Sequence, residues 1–133
     1  MTPESSQKFY ITTAIDYVNA SPHIGTAYEK VAADFIARSR RLMGLDTRFL
    51  MGNDEHSQNV ATAAAEAGLD PHAYCDGMEA QFRESWAALD VSFDDFICTT
   101  QPRHLAAVSE ILERVTASGD IRPRWIMTIS MPS

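Results

Sequence analysis

The chain has 133 residues and a mass of 14.7 kDa, which suits one ordinary domain or a part of a larger one. With 45% apolar and 22% charged residues, the composition excludes disordered, collagen-like and disulfide-scaffold chains. The net charge of −7 argues against a protein that neutralises long phosphate backbones, so no DNA partner is expected. Cys75 and Cys98 show neither CxxC nor zinc-knuckle spacing and are expected to be free thiols.

The first residues carry no signal-peptide or transit-peptide pattern. No apolar run approaches the roughly 20 residues that a helix needs to cross a bilayer. We therefore expect a cytoplasmic protein with no membrane partner.

The first half of the sequence predicts a βαβ unit. Residues 8–15 are β-branched and aromatic, which is typical of a strand, and the turn-forming residues 16–22 predict a loop. A helix is predicted from Gly25 to just before Gly44, because apolar residues recur there at helical spacing. Those apolar residues are Tyr28, Val31, Ala32, Phe35, Ile36, Leu42 and Met43. A short buried strand is predicted at 47–52, parallel to the first, with a right-handed crossover between them.

Three further helices and one extended segment are predicted beyond this unit. One helix covers 57–67 and ends at Gly68, and the next begins at Asp70 and Pro71. Residues 93–99 read as a short extended segment. Thr100 and Pro102 begin a last helix, which ends at Gly119. The predicted fold class is thus α/β, a parallel sheet flanked by helices.

The two ends of the chain differ from its centre. Residues 1–7 are predicted to be an N-terminal tail, and 8–120 the domain itself. Residues 121–133 hold two arginines and no acidic residue, and they show neither helical period nor caps. This atypical tail is expected to reflect a frameshift or a truncation.

The strongest local motif is Pro22-His23-Ile24-Gly25-Thr26, where the first strand gives way to the first helix. A helix N-terminus offers free N–H groups and the positive end of the helix dipole, which suits a polyphosphate. His23 adds a hydrogen-bond donor, although a lone histidine at a helix start is about as often only a surface residue. The motif therefore predicts phosphate binding.

The second motif, Gly52-Asn53-Asp54-Glu55-His56, directly follows the second predicted strand. Ligands of parallel sheets bind beyond the carboxyl ends of the strands, so we expect the two motifs to be neighbours. Asp54 can bind an ammonium group through a charge-assisted hydrogen bond, but taken alone the motif is also a common helix cap. Adjacent residues point in different directions, so no dedicated metal site is expected.

Together, three segments resemble the N-terminal catalytic region of the methionyl-tRNA synthetases, which are class I aminoacyl-tRNA synthetases. They are FYITTAIDYVNASPHIGTAYEKVAADFIARSRRLMG, RFLMGNDEHSQN, and FDDFICTTQPRH with the helix after it. The resemblance covers about residues 8–120 and implies the first half of a Rossmann-like catalytic domain. It also implies an ATP-dependent ligase that forms methionyl-adenylate and passes the methionyl group to tRNA.

The resemblance also implies roles for individual residues. His23 and Thr26 fall in the HIGH signature as catalytic residues, and the ATP-binding set is completed by Pro22, Ile24 and Gly25. Methionine is expected to contact three residues, Ile15, Tyr17 and Asp54. ATP with Mg²⁺ is the implied cofactor, and tRNA(Met) is the implied partner of the full-length enzyme. Zinc is expected only in a connective domain that this segment does not include.

Two departures from the family pattern leave alternatives open. Thr26 replaces the second histidine of the HIGH signature, and Ser57 replaces the glycine of the family's DEHG. The KMSKS loop is absent, so we expect the 133-residue chain alone to be inactive. The alternatives are a non-catalytic nucleotide-binding or interaction remnant and an unrelated HIGH-type adenylyltransferase of small molecules.

Overall fold

The computed structural model describes residues 7–121, so the predicted tails at 1–7 and 121–133 lie almost entirely outside the described residues. This part of the chain holds four strands and four helices. They are β1 (Lys8–Thr12), β2 (Asp16–Tyr17), α1 (Ile24–Leu42), β3 (Asp46–Asp54), α2 (Gln58–Glu66), α3 (Pro71–Ala88), β4 (Asp95–Cys98) and α4 (Pro102–Ala117). The predicted α/β class is confirmed.

Strand β3 is the centre of a parallel sheet, as the βαβ interpretation predicts. It pairs in parallel with β1 and β2 on one edge and with β4 on the other. Its Phe49 and Met51 are almost completely buried. Because all these strands run in the same direction, their carboxyl ends meet at one edge of the sheet, where both motifs lie.

The predicted strand at 8–15 is broken, and the predicted loop at 16–22 begins with two strand residues. Thr12 pairs with Leu50 and Asp16 pairs with Asn53, so three residues, 13–15, lie opposite two residues of β3. An extra residue of this kind is a β-bulge, which bends the strand and redirects its side chains. We refer to residues 13–15 as the bulge.

The buried face of α1 is not the one that carries most of its large apolar side chains. The buried residues are Lys30, Ala33, Asp34 and Ala37. By contrast, the apolar side chains of Phe35 and Leu42 are 75% and 89% exposed. Alanines let the helix approach the sheet closely, and the two charged residues on this face have polar partners within the described residues. The helix is therefore confirmed, and the face that is buried carries small and charged residues rather than the large apolar ones.

Asp34, in the middle of α1, is hydrogen-bonded to the segment before β4. Its Oδ1 accepts hydrogen bonds from the backbone N–H (2.7 Å) and the hydroxyl (2.5 Å) of Ser92. Its Oδ2 accepts one from Arg38 at 2.6 Å. Burial acts to raise the pKa of Asp34, but these hydrogen bonds and the Arg38 charge outweigh it and hold the pKa below its usual value.

The lowered pKa of Asp34 predicts acid sensitivity. The unfolded chain binds this proton at a higher pH than the folded chain, so the stabilisation is complete above the usual pKa of about 4 and is lost as pH falls below it. We expect Asp34→Asn to be less stable than wild type at pH 7 and to lose less stability between about pH 5 and pH 2. Urea unfolding across this range measures the effect, with Glu66→Gln as an exposed control. Parallel pH profiles for wild type and Asp34→Asn would contradict it.

Helices α2 and α3 are capped as the sequence predicts. Ser57 accepts a hydrogen bond from the Val60 N–H, and Asp70 accepts bonds from the first turn of α3. Helix α3 places two aromatic residues in the core, Phe82 and Trp86, with their rings in an edge-to-face contact at 6.0 Å. This contact anchors α3 in the core that the sheet residues share.

The chain divides into two compact units, one ending at Gln101 and one beginning at Pro102. In the second unit, α4 has no buried residue over its described length. The predicted domain boundary at 120 stays a prediction. Among residues 7–121, no helix is both long enough and apolar enough to span a membrane.

Candidate active site

A cleft of about 340 Å³ lies where the predicted phosphate motif and strand β2 meet. Four of the predicted site residues line it: Tyr17, Pro22, His23 and Thr26. Asp16, the loop 19–21 and Phe82 of α3 complete its wall. Ile15, Ile24, Gly25 and Asp54 are not among the lining residues. The structure therefore brings half of the predicted set to one cleft.

His23 is the N-cap residue of α1. Its Nδ1 accepts hydrogen bonds from the N–H groups of Gly25 (3.0 Å) and Thr26 (3.4 Å). The Thr26 hydroxyl bonds in return to the backbone N–H (3.1 Å) and carbonyl (2.8 Å) of His23. This is a capping box in which imidazole replaces the usual hydroxyl. Because Nδ1 accepts, a neutral ring carries its proton on Nε2 and can donate it to a ligand.

This cap changes which groups at the start of α1 are free to bind a phosphate. Two of the backbone N–H groups predicted to be free, those of Gly25 and Thr26, are bonded to the imidazole. Gly25 also has a further reason to be glycine: an added Cβ would lie 2.9 Å from Cε1 of His23. A ligand at this helix start therefore meets the exposed His23 ring before it meets those N–H groups.

Asp54 and Tyr17 are register partners at the carboxyl ends of β3 and β2. Oδ1 of Asp54 accepts the His56 N–H at 3.0 Å and lies 3.5 Å from the Thr99 hydroxyl. Within residues 7–121, Oδ2 has no hydrogen-bond partner. The carboxylate is thus held through one oxygen, while the other remains available to an incoming cation such as an ammonium group.

Ile15 occupies the bulge next to Tyr17, and it is 40% exposed. The Ile15 side chain and the ring of Tyr17 offer apolar surface at the carboxyl edge of the sheet, as expected of a wall for an aliphatic ligand. Neither needs a polar partner from the protein. The two residues flank Asp16 in the chain.

Sequence reasoning missed the most buried charge of the site. Lys30 has no exposed surface, and its Nζ lies 3.0 Å from Oδ2 of Asp16 and 2.9 Å from the carbonyl oxygen of Ala14. Burial raises the pKa of Asp16, and Lys30 only partly offsets this effect. The signal was available in the sequence: Lys30 begins an i, i+3, i+4, i+7 stripe with two alanines, Ala33 and Ala37, which marks a face that packs closely.

A second buried polar cluster adjoins the second motif. Ligand atoms of Glu55, Glu79 and Cys98 lie within 4.8 Å of one another. Burial and the two carboxylates raise the pKa of Cys98, so its thiol stays protonated. Glu79 also pairs with Arg83 at 2.6 Å. The groups thus satisfy one another in a thiol–carboxylate network.

The other cysteine is equally inert. Cys75 is buried, and its burial and the nearby Glu55 charge raise its pKa to about 11. Both cysteines are free thiols, as predicted. Neither has the lowered pKa that a thiol nucleophile needs.

Comparison with known proteins agrees with this geometry. The family model described as "tRNA synthetases class I (M)" matches residues 9–131. The methionine–tRNA ligase of Fusobacterium nucleatum is 50% identical over 115 residues, covering 86% of this chain and 18% of that protein. The chloroplastic/mitochondrial methionine–tRNA ligase of Arabidopsis thaliana is 46% identical over 120 residues, covering 90% of this chain and 20% of that protein.

A solved structure is also similar. The methionyl-tRNA synthetase of Mycobacterium tuberculosis, in complex with methionyl-adenylate, aligns with a TM-score of 0.83 and 47% identity. The alignment covers 85% of this chain and 22% of that one, so this chain spans about a fifth of the length of the relatives it matches. With the family model matching nearly the whole sequence and the sheet matching the predicted fold, the chain belongs to the methionyl branch of the class I tRNA synthetases.

Proposed function

We propose that this chain forms the part of a methionine–tRNA ligase active site that binds methionine and the phosphates of ATP. The observation that carries the proposal is the shared carboxyl edge of β2 and β3. There Tyr17 is the register partner of Asp54, and the cleft beside Tyr17 is also lined by His23 and Thr26. A carboxylate and a hydrogen-bond donor of the helix start thus lie at one edge, as an amino acid and ATP require.

Asp54 would hold the ammonium group of methionine through its unpartnered Oδ2. A charge-assisted hydrogen bond of this kind is short and strong, and its strength fixes the amino end of the substrate. Ile15 and Tyr17 would contact the thioether side chain, which is apolar and polarisable. With the amino and side-chain ends held, the methionine carboxylate remains free to react.

His23 would donate its Nε2–H to a phosphate oxygen of ATP at the start of α1. The reaction is attack of the methionine carboxylate oxygen on the α-phosphorus, with pyrophosphate leaving and methionyl-adenylate formed. Such a transfer depends mainly on positioning and on stabilising charge spread over oxygens. The helix dipole adds a favourable positive potential at the same place.

Several partners come with this proposal. ATP would enter as its Mg²⁺ complex, and tRNA(Met) would accept the methionyl group in the full-length enzyme. Zinc is assigned to a part of the family's chain outside this segment. The reducing cytoplasm is the proposed compartment, which suits two buried free thiols.

The test is methionine-dependent exchange between ATP and labelled pyrophosphate. We expect no exchange by the 133-residue chain, since it spans only about a fifth of its relatives. A chimera in which residues 8–120 replace the matching segment of the M. tuberculosis enzyme is expected to restore exchange. A soluble, folded chimera that binds neither methionine nor ATP would contradict the proposed function, and exchange by the short chain would contradict its expected inactivity.

Asp54 offers the sharpest single-residue test within the chimera. We expect Asp54→Asn to lower kcat/KM for methionine by about 10- to 100-fold, because the ammonium group loses its charged partner. The KM for ATP is expected to change little. Asp46→Asn, at the exposed amino end of the same strand, is the matched control. An unchanged kcat/KM for methionine in Asp54→Asn would remove Asp54 from the binding site.

A further inference from the structure

The middle residue of the bulge, Ala14, is held by two consecutive residues of α1, whereas the N–H of Thr13 is bonded to the Leu50 carbonyl of β3. Oε1 of Glu29 accepts the N–H of Ala14 at 2.9 Å, and Nζ of Lys30 donates to the carbonyl of the same residue at 2.9 Å. Both backbone groups of Ala14 are therefore bonded to side chains rather than to a neighbouring strand. A bulge residue that leaves the strand ladder needs such replacement partners.

Lys30 also contacts the carboxylates of Asp16 and Glu29. It lies 3.0 Å from Oδ2 of Asp16 and 3.0 Å from Oε2 of Glu29, so its ammonium group has three oxygen partners. The contacts to the Ala14 carbonyl and to Glu29 are hydrogen bonds, and the contact to Asp16 is an ion pair. Burial acts to raise the pKa of Glu29, but the bonds from Ala14 and Lys30 outweigh it and lower the pKa.

Ile15 lies between the two anchored residues, Ala14 and Asp16, and Tyr17 follows directly. Seven residues before Lys30 on α1, His23 caps the helix that carries the proposed phosphate site. The same helix thus bears the proposed phosphate donor at its start and the bulge anchors two turns later.

We propose that Glu29 and Lys30 are positioning residues that hold the bulge in one conformation and thereby set Ile15 and Tyr17 relative to the start of α1. That these two side chains contact methionine rests on the proposed function. The anchoring of Ala14 does not depend on it. A pair with only a structural role would stabilise the chain as a whole. The side chains of Glu29 and Lys30 instead both bind the backbone of one bulge residue, Ala14.

Glu29 is the residue to change, because its side chain is 44% exposed and because Lys30, which loses one partner, keeps Asp16 and the Ala14 carbonyl. Removing Lys30 instead would leave Asp16 as an uncompensated, largely buried charge and endanger folding. Glu29→Ala deletes the acceptor of the Ala14 N–H. Glu29→Gln keeps an acceptor oxygen and is the conservative rescue. Glu66→Ala removes an exposed glutamate from α2 and is the control for loss of a surface charge.

The first measurement is residue-resolved amide hydrogen exchange on the 133-residue chain. We expect the Ala14 amide to be protected in wild type, to exchange about tenfold faster in Glu29→Ala, and to recover most of its protection in Glu29→Gln. Amides of α3, such as that of Trp86, report global stability and are expected to change much less. Equal acceleration at Ala14 and in α3, or no acceleration at Ala14, would overturn the proposal.

The second measurement is pyrophosphate exchange in the chimera. Glu29→Ala is expected to raise the KM for methionine about tenfold while the KM for ATP stays within about twofold. Equal rises in both constants would overturn the positioning role. A wild-type chimera without activity would count against the proposed function, and the Ala14 exchange rates alone would then decide whether the anchor exists.

Discussion

Gly52→Ala is expected to lower the free energy of unfolding by about 3 kcal/mol or more, a large part of the stability of a domain this size. Gly52 lies in β3 opposite Ile97 of β4. A Cβ at this position would lie 2.1 Å from the carbonyl oxygen of Ile97 and 2.6 Å from its Cγ2. The oxygen belongs to the backbone of a paired strand, so no side-chain rotation can relieve the overlap. The two strands would have to separate.

Gly77→Ala is the matched control for this substitution. Gly77 lies in α3, and an added Cβ there meets nothing within 4 Å. Because glycine weakens a helix interior relative to alanine, Gly77→Ala is expected to raise the free energy of unfolding by about 0.5–1 kcal/mol. Urea unfolding followed by circular dichroism measures both variants. A Gly52→Ala midpoint equal to that of wild type would contradict the predicted overlap.

Trp86→Ala is expected to lower the free energy of unfolding by about 3–5 kcal/mol, the usual range for removing a large buried aromatic side chain. Trp86 has no exposed surface and contacts the edge of Phe82. Its removal leaves a cavity between α3 and the sheet face that carries Phe49 and Met51, which belong to the same core cluster. Leu42→Ala, at a side chain that is 89% exposed, is the control and is expected to change stability by less than about 0.5 kcal/mol.

Trp86→Phe separates packing from hydrogen bonding at the same position. The indole N–H of Trp86 has no partner among the described residues. Phenylalanine removes that unsatisfied donor and keeps a ring against Phe82. We therefore expect Trp86→Phe to lower the free energy of unfolding by less than half as much as Trp86→Ala. Thermal or urea unfolding measures all three variants. A phenylalanine variant as unstable as the alanine variant would contradict this expectation.

The sequence predicted the elements well because their signals are local. Caps at Ser57 and Asp70, the glycine at 44 and the apolar run at 47–52 each act within a few residues, and each prediction was close to the observed boundary. Parallel pairing alone predicted that the segments after the first two strands lie at one edge of the sheet, and Tyr17 is the register partner of Asp54 there. Local chemistry and one topological rule therefore gave the outline of the candidate site.

What the sequence did not predict depends on contacts between distant residues. The stripe of Lys30 with Ala33 and Ala37 marks a closely packed face, but only the folded chain brings Asp16 and the Ala14 carbonyl to the lysine. The break in the first strand depends on the same contacts. The capping role of His23 was also missed, because capping is usually assigned to Ser, Thr, Asp or Asn.

The central position of β3 has a consequence for the order in which the chain can fold. Every strand pairing within residues 7–121 includes β3, with Lys8 joined to Asp46 and Leu50 joined to Asp95. During synthesis β1 and α1 leave the ribosome first, and they have no strand partner until β3 follows. The face of α1 with Lys30, Ala33 and Ala37, which is buried in the folded chain, is then accessible to chaperones, and loop-closure entropy makes the later pairings the slow steps.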